Sequence, residues 1–311
     1  MLDIHALRVF LEAARTENFT EAGRALNLTQ PAVSMQIRSL ENYLQVELFE
    51  REGRNIRLTK AGHALIPMAQ QIVQLAISTE ETIRAANGRV AGRLTIGCST
   101  ASGKYILPHV VARFQQLFPD VRVTIPVVPR EQVTEGVCSG SYDLGVVSQR
   151  VPGINATYIP FFTDRLVLIA PISHRWARKG RIQPEELFTE RFICRDPTAP
   201  CRMRTREALA ALGVDASQLN VIMEIGNPEA LAMAVEHGIG VSFVSLLAAN
   251  PRLMLGRLAI VEVEGLDLYN EVELMCAASR PASPVQTQFL EFVEQPQNRM
   301  IIDMLAEGRL V

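Results

Sequence analysis

Several chemistries are missing from this sequence, and each absence narrows its function. There is no His-Glu-x-x-His and no Cys-x-x-Cys pair, and the five histidines are scattered, which argues against a zinc site. No Gly-x-Ser-x-Gly, Walker loop or Gly-x-Gly-x-x-Gly follows the first strand, and nothing pairs a nucleophile with a base. An enzyme on this scaffold is therefore the remotest reading, which turnover assays with bound metabolites would discriminate. Five cysteines, an odd number at irregular spacing, fit reduced thiols rather than a disulfide framework. No apolar run reaches bilayer length, and the Met1-Leu2-Asp3-Ile4-His5 start lacks a secretory pattern, so a cytoplasmic protein without a membrane partner is expected. An overall basic charge is missing too. The 31 Lys+Arg against 33 Asp+Glu leave a net charge of −2, so contact with nucleic acid needs a local patch. What remains is 311 residues, 48% hydrophobic and 21% charged, enough for two or three domains with real cores.

The first stretch reads as short helices joined by tight turns. Leu7, Phe10, Leu11 and Ala14 share a helical face. Thr20 is the expected N-cap of a second, short helix carrying Ala22, Ala25 and Leu26, and Thr29 that of a third, with Pro31 in its first turn. Val33, Ile37, Leu40 and Leu44 form the inward stripe of this third helix. Its opposite face is small or hydrogen-bonding, as expected of a recognition helix lying in the major groove of duplex DNA. Gln36 can pair with adenine, Arg38 can reach guanine or phosphate, and Ala32 can touch a thymine methyl, while Thr29 and Ser34 suit phosphates. A hairpin over 48–59 reads as a wing with Arg51, Arg54 and Arg57 toward DNA. Glu50 and Glu52 leave a merely solvated hairpin open, and 1–60 holds eight basic and eight acidic residues. The DNA-facing set is Thr20, Thr29, Gln30, Pro31, Ala32, Ser34, Met35, Gln36 and Arg38, plus Arg51 and Arg54.

From Thr59 to about residue 88 one long helix is expected. Leu65, Met68, Ile72, Leu75 and Thr79 follow a coiled-coil seam, Pro67 predicts a kink, and packing on its own domain is the alternative. Beyond Gly92, strands at 94–97, 121–128 and 143–147 alternate with helices at 106–118 and 131–140. A second similar set follows at 166–170, 202–212, 221–225, 228–236 and 241–244, then a strand at 271–278 and a helix at 284–294. That order implies two α/β lobes. Ligands in such lobes bind at strand carboxyl ends beside helix N-termini.

The chain resembles LysR-type transcriptional regulators. The resemblance rests on Phe10-Leu11, Asn18-Phe19-Thr20-Glu21-Ala22, Leu26 through Ser34, Gln36-Ile37, Leu40-Glu41, Leu48 through Arg51 and Leu58 through Gly62. Gly23, where the family usually has alanine, is expected only to loosen the second helix. Gly92-Arg93-Leu94, Phe114 through Pro119 and Gly140 through Gly145 resemble the family's effector region, so the likeness reaches about residue 295. It implies an α/β protein with an all-α N-terminal domain: a winged helix-turn-helix over 1–58, a dimerising linker helix over 59–91, and a two-lobed domain like the periplasmic binding proteins over 92–295. Lobe I would hold 92–162 and 267–295 and lobe II 163–266, hinged near Phe162-Thr163 and Gly265-Leu266, with 296–311 a tail. Homodimers through the linker helix and homotetramers on paired operator sites are implied as well, with RNA polymerase left open as a partner. So is control by a small effector that alters the bend between sites.

For that effector the family loop points to Ser99, Thr100, Ala101 and Ser102, where helix capping is the alternative. The loop 195–202 points to Thr198 and Arg202. Val128 and Ser148 end strands on the same cleft, and Asn227 either caps a helix or donates to the ligand. An arginine and two helix N-termini predict an anion, with no other cofactor and no metal. A redox sensor using Cys194 and Cys201 is the rival within the family, although Cys194 lies in an apolar strand. The stretch 99–108 resembles branches controlling carbon fixation and inorganic sulfur or nitrogen use.

Overall fold

Short polar caps lay out the first domain. The computed structural model describes residues 2–52, 55–86, 90–98, 101–278 and 280–309. Helix α1 spans Ile4–Thr16, α2 Phe19–Leu26 and α3 Gln30–Leu44. Asp3 accepts the His5 N–H ahead of α1, and Thr29 accepts the Ala32 N–H ahead of α3. At α2 the cap is Asn18, whose Oδ1 accepts the N–H groups of Thr20 and Glu21 at 2.8 and 3.2 Å. This corrects Thr20, which lies inside the first turn. Asn18 holds the extended backbone a cap requires. Each helix ends on a left-handed residue, Glu17, Asn27 or Gln45, which reverses the chain within a few residues.

Leu7, Phe10 and Ala13 of α1 meet Ala22 of α2 and Val33, Ile37 and Leu40 of α3 in one core, with Leu11, Ala14 and Leu44 at its margin and Ala25 exposed. Strands β1 (Phe49–Glu52) and β2 (Asn55–Leu58) pair antiparallel as the wing, Phe49 opposite Leu58. The Phe49 ring lies 5.6 Å from Phe10 and 5.5 Å from Phe19. Glu41 Oε1 accepts the N–H groups of Leu48 and Phe49, which ties the wing to α3. Gly23 does more than loosen α2: a Cβ there would stand 2.7 Å from the Leu28 carbonyl oxygen, so glycine lets the turn close onto the helix.

Helix α4 (Lys60–Ala86) starts where Thr59 Oγ1 accepts the Gly62 N–H, and it continues through Pro67. Leu65, Ile66, Ala69 and Val73 pack on the first domain's core, while Met68, Ile72, Leu75 and Ile83 are exposed. The reading of packing on its own domain holds for the packed part of the helix, and Leu65, expected in the coiled-coil seam, belongs to it. Where α4 meets the wing, a Cβ on Gly62 would overlap the Leu48 carbonyl and stand 2.7 Å from a Leu58 methyl. Gly62→Ala is expected to destabilise this domain by about 1–3 kcal/mol, although alanine favours helix by about 1 kcal/mol. Thermal melting checks it; a raised melting temperature would contradict the close approach.

The second domain begins with β3 (Gly92–Cys98), α5 (Ala101–Leu117), β4 (Val121–Thr124), α6 (Arg130–Ser139) and β5 (Leu144–Val147). Strands β4, β3 and β5 are parallel neighbours in that order. The expected strand to 128 ends at Thr124, because Pro126 has no N–H for the ladder; only a bridge from Cys98 to Val127 continues it. Strand β6 (Ala156–Pro171) is far longer than the 166–170 expected. Then follow α7 (Arg175–Lys179), β7 (Arg181–Ile182), β8 (Arg191–Cys194), α8 (Pro200–Ala211), β9 (Asn220–Glu224), α9 (Pro228–Glu236), β10 (Ser242–Ser245), α10 (Leu246–Met254), β11 (Leu258–Val263), β12 (Tyr269–Ala277), α11 (Pro284–Glu294) and α12 (Pro296–Ala306).

Strand β6 pairs with β12 from Ala156 to Arg165, then with β10 and β11 from Leu166 onward. It passes from lobe I to lobe II, with the switch at Arg165-Leu166, three residues beyond the hinge expected at Phe162-Thr163. Lobe I closes around Phe114, whose ring meets Phe289 at 5.2 Å and Phe292 at 5.4 Å. Residues 296–311 are not simply a tail: Ile302, Leu305 and Ala306 of α12 are buried in that core, and Arg299 donates to the carbonyl oxygens of Pro160 and Phe161 on β6.

Asp143 joins α4 to lobe I. It is 6% exposed, and its carboxylate accepts the Thr95 N–H at 2.7 Å and the Gln74 side-chain amide at 3.3 Å. Burial raises its pKa against the opposing pull of the Thr95 hydrogen bond, Arg280 and Arg93. The folded state thus binds this proton more tightly than the unfolded chain, so its stability contribution falls as pH rises through the window between the ordinary and the raised value. Asp143→Asn keeps an acceptor for Thr95 without the buried charge. Relative to wild type it is expected to gain stability as pH rises from about 4 to 7. Urea unfolding at both pH values checks this; a relative loss would contradict it.

Candidate DNA-reading face and interlobe cleft

The buried stripe of α3 turns its other side outward. Gln30, Pro31, Ser34, Met35, Arg38, Ser39 and Asn42 form one shallow open surface, with Met35 65% exposed. Ala32 and Gln36 are half-buried at its flank, and Thr20 and Thr29 are exposed beside it. An exposed helix face of amides, hydroxyls and one guanidinium can reach base edges and phosphates in a major groove. Arg51 lies in β1 and Arg57 is exposed in β2, while Arg54 lies outside the described residues.

Between the lobes lies a cleft of about 220 Å³. Lobe I contributes Lys104 of α5, Val127 and Ser148. Lobe II contributes Arg195, Pro200, Cys201 and the start of α9 at Gly226, Asn227 and Pro228. The crossing strands add Asp164 and Asn270, and Val244 and Ser245 of β10 complete the wall. Asn227 caps α9, its Oδ1 accepting from Glu229 and Ala230, which leaves its amide N–H groups for a ligand. Both earlier readings of Asn227 are thus compatible. Ser245 donates to the buried Asp164 carboxylate at 2.7 Å.

Two neighbouring side chains of α5 reach across the cleft to Glu229 of α9. Lys104 Nζ lies 3.0 Å from Glu229 Oε1, and the Tyr105 hydroxyl donates to the same carboxylate at 2.5 Å. Those two donors hold the Glu229 pKa below the usual carboxylate range, while burial and the neighbouring charge push the Tyr105 phenol above its own.

Ser148 and Asn227 are brought together as expected, and three other positions are corrected. Val128 is turned into lobe I and Val127 faces the cleft, because alternate residues of an extended segment point to opposite sides. Thr198 is exposed outside the cleft, its hydroxyl donating to Asp196. Arg202 points the other way, 2.5 Å from Glu224 and donating to the Arg195 carbonyl oxygen. Ala101 and Ser102 form the first turn of α5, which starts five residues earlier than the pattern indicated. Ser99 and Thr100 lie outside the described residues. Lys104, Asp164, Arg195, Ser245 and Asn270 were missed. The signal for Asp164 was present: a charged residue between the apolar pairs Phe161-Phe162 and Leu166-Val167 marks a buried polar position.

Cys194 and Cys201 are free thiols, and burial raises the pKa of both despite Arg202 and Arg195. The nucleophilic thiolate is therefore disfavoured at both positions, which weighs against the redox reading.

Comparison with known proteins agrees with this geometry. The LysR substrate binding domain family matches residues 87–297, and the bacterial regulatory helix-turn-helix protein family of the lysR type matches residues 4–63. A probable RuBisCO transcriptional regulator of Synechocystis sp. is 32% identical over 307 residues, 98% of this chain and 89% of its own. A relative of the same description from Cyanophora paradoxa is 32% identical over 93% of this chain and 90% of its own. A full-length OxyR from Pseudomonas aeruginosa shares the fold at TM-score 0.73 and 19% identity, over 95% of each chain. The regulatory domain of Synechocystis CcmR in complex with 2-PG matches at TM-score 0.57 and 26% identity, over 65% of this chain and 95% of that one. With both parts of the chain matched in order and a relative at 32% identity along nearly its whole length, this protein belongs to the LysR family of transcriptional regulators, pairing a helix-turn-helix DNA-binding domain with an effector-binding domain.

Proposed function

We propose that this regulator senses a small anionic metabolite in the interlobe cleft and that occupancy changes the geometry of its oligomer on DNA. The carrying observation is the Lys104–Glu229 pair, which joins the lobes beside Arg195 and the α9 N-terminus. A phosphate or carboxylate competes with Glu229 for Lys104 and finds a second cation and free N–H groups in the same space. The lobes then settle in a different relative position, and the ligand's preference for that state drives the change. The 2-PG bound by the CcmR regulatory domain is an anion of this class, and the RuBisCO regulators at 32% identity suggest a carbon-fixation promoter as target.

The exposed Met68, Ile72 and Leu75 suit pairing of α4 with a second copy. A two-fold dimer sets two α3 helices about 34 Å apart, one turn of DNA. Two dimers bend the DNA between paired sites at a cost of several kcal/mol. Altering that bend changes access for RNA polymerase. The protein acts in this account by binding alone, in the cytoplasm and without catalytic turnover. Calorimetric titration of the wild type with 2-PG and other small phosphate or carboxylate acids tests the reading. Saturable binding is expected; no binding by any of them contradicts it.

A further inference from the structure

Lobe II contains a second pocket that the interlobe cleft does not account for. It measures about 210 Å³ and lies between α8 and strands β8, β9 and β10. Its wall is mainly apolar: Phe243, Val221 and Leu219 face it, and the Phe243 ring is backed by the fully buried Phe192, 6.1 Å away. Around it stand three guanidiniums, Arg195, Arg202 and Arg206. Arg202 is matched by Glu224, and Arg195 lies 3.7 Å from Asp196. Arg206 is exposed and has no ion pair among the described residues, so one positive charge is left over.

We propose that this pocket binds an apolar monocarboxylate, with its hydrocarbon body against Phe243 and Val221 and its carboxylate at Arg206. Size and charge both fit that class. An apolar cavity of about 150 Å³ takes up benzene, so this pocket admits one ring, or a chain of similar bulk, plus a carboxylate. The single surplus charge matches a monoanion, and the largely apolar wall offers few partners for a sugar phosphate's hydroxyls. The site is distinct from the cleft but shares Arg195 and Cys201 with it, so the 195–201 segment is a common partition. A ligand on one side bears on the position of Arg195 on the other, which couples two chemically different signals.

The chain's single tryptophan provides the readout. Trp176 is buried in the same apolar cluster as Phe192, Leu209 and Leu219. Full-length protein is titrated with phenylacetate and with hexanoate while tryptophan emission is followed. Saturable binding of at least one acid is expected, with 2-phenylethanol or hexanol roughly tenfold or more weaker. Arg206→Glu should weaken the acid by roughly tenfold or more, and Ala216→Phe, which fills the pocket from its rim, should abolish binding. Lys104→Ala in the cleft should act only through the coupling and change it by no more than about threefold. Melting curves confirm that the variants fold. The proposal is overturned if neither acid saturates by about 10 mM, if the alcohols bind equally well, if Arg206→Glu and Ala216→Phe both bind like wild type, or if only Lys104→Ala loses binding. Failure here leaves the cleft reading untouched, because 2-PG binding is measured separately.

Discussion

Replacing Gln36 and Arg38 together by alanine is expected to weaken binding to promoter DNA by roughly 30- to 10⁴-fold, since each good base contact contributes about 1–3 kcal/mol. The loss is attributable to recognition because the fold of α3 does not depend on either residue. Val33, Ile37 and Leu40 anchor the helix, Thr29 caps it, and Arg38 is exposed with Gln36 at the flank. Circular dichroism and melting should therefore match wild type. The single variant Arg38→Ala separates two roles. A phosphate contact lowers affinity for all sequences and reduces the salt slope by about one, whereas a guanine contact relaxes specificity at one position. Fluorescence anisotropy with specific and scrambled duplexes at two salt concentrations reads both. Wild-type affinity in the double variant would remove α3 from the groove.

Lys104→Ala and Arg195→Ala are each expected to weaken the anionic effector by about 10- to 100-fold, the range of a charge-assisted hydrogen bond worth about 1.5–3 kcal/mol. Arg202→Ala should change it by no more than about threefold, because Glu224 already neutralises that guanidinium and its side chain lies outside the cleft. Lys104→Ala has a second consequence. It removes one of the two contacts that hold Glu229 across the lobes, leaving the Tyr105 hydroxyl, so the empty protein should also shift toward the state that the anion favours. Calorimetry gives the affinities. Loss of binding in Arg202→Ala with retention in Lys104→Ala would reverse the assignment of the site.

The contrast between Lys104 and Arg202 shows how far the residues alone could lead. The helices of the first domain were legible to within a few residues because their information is local: a cap and a proline in the first turn of α3, and an apolar stripe that fixes which side remains outward. The alternation of strands and helices likewise gave two lobes. What local pattern could not give was direction. Arg202 and Thr198 lie in a loop of the right composition, but Glu224 arrives from β9 and takes the guanidinium away from the cleft. Val127 and Val128 differ only in which way an extended segment faces. Asp164 and Asn270 line the cleft because β6 and β12 cross between lobes side by side, a pairing separated by about a hundred residues of chain. The buried face of α12 was hidden for the same reason, since it packs on β6 and α5, more than a hundred residues earlier in the chain.

The most direct test is a DNase footprint of the full-length protein on its own promoter, with and without an anion that calorimetry has shown to bind. Coupling between cleft and DNA geometry predicts a changed extent of protection and altered hypersensitive positions between half-sites about 34 Å apart. An identical footprint at saturating anion would contradict it.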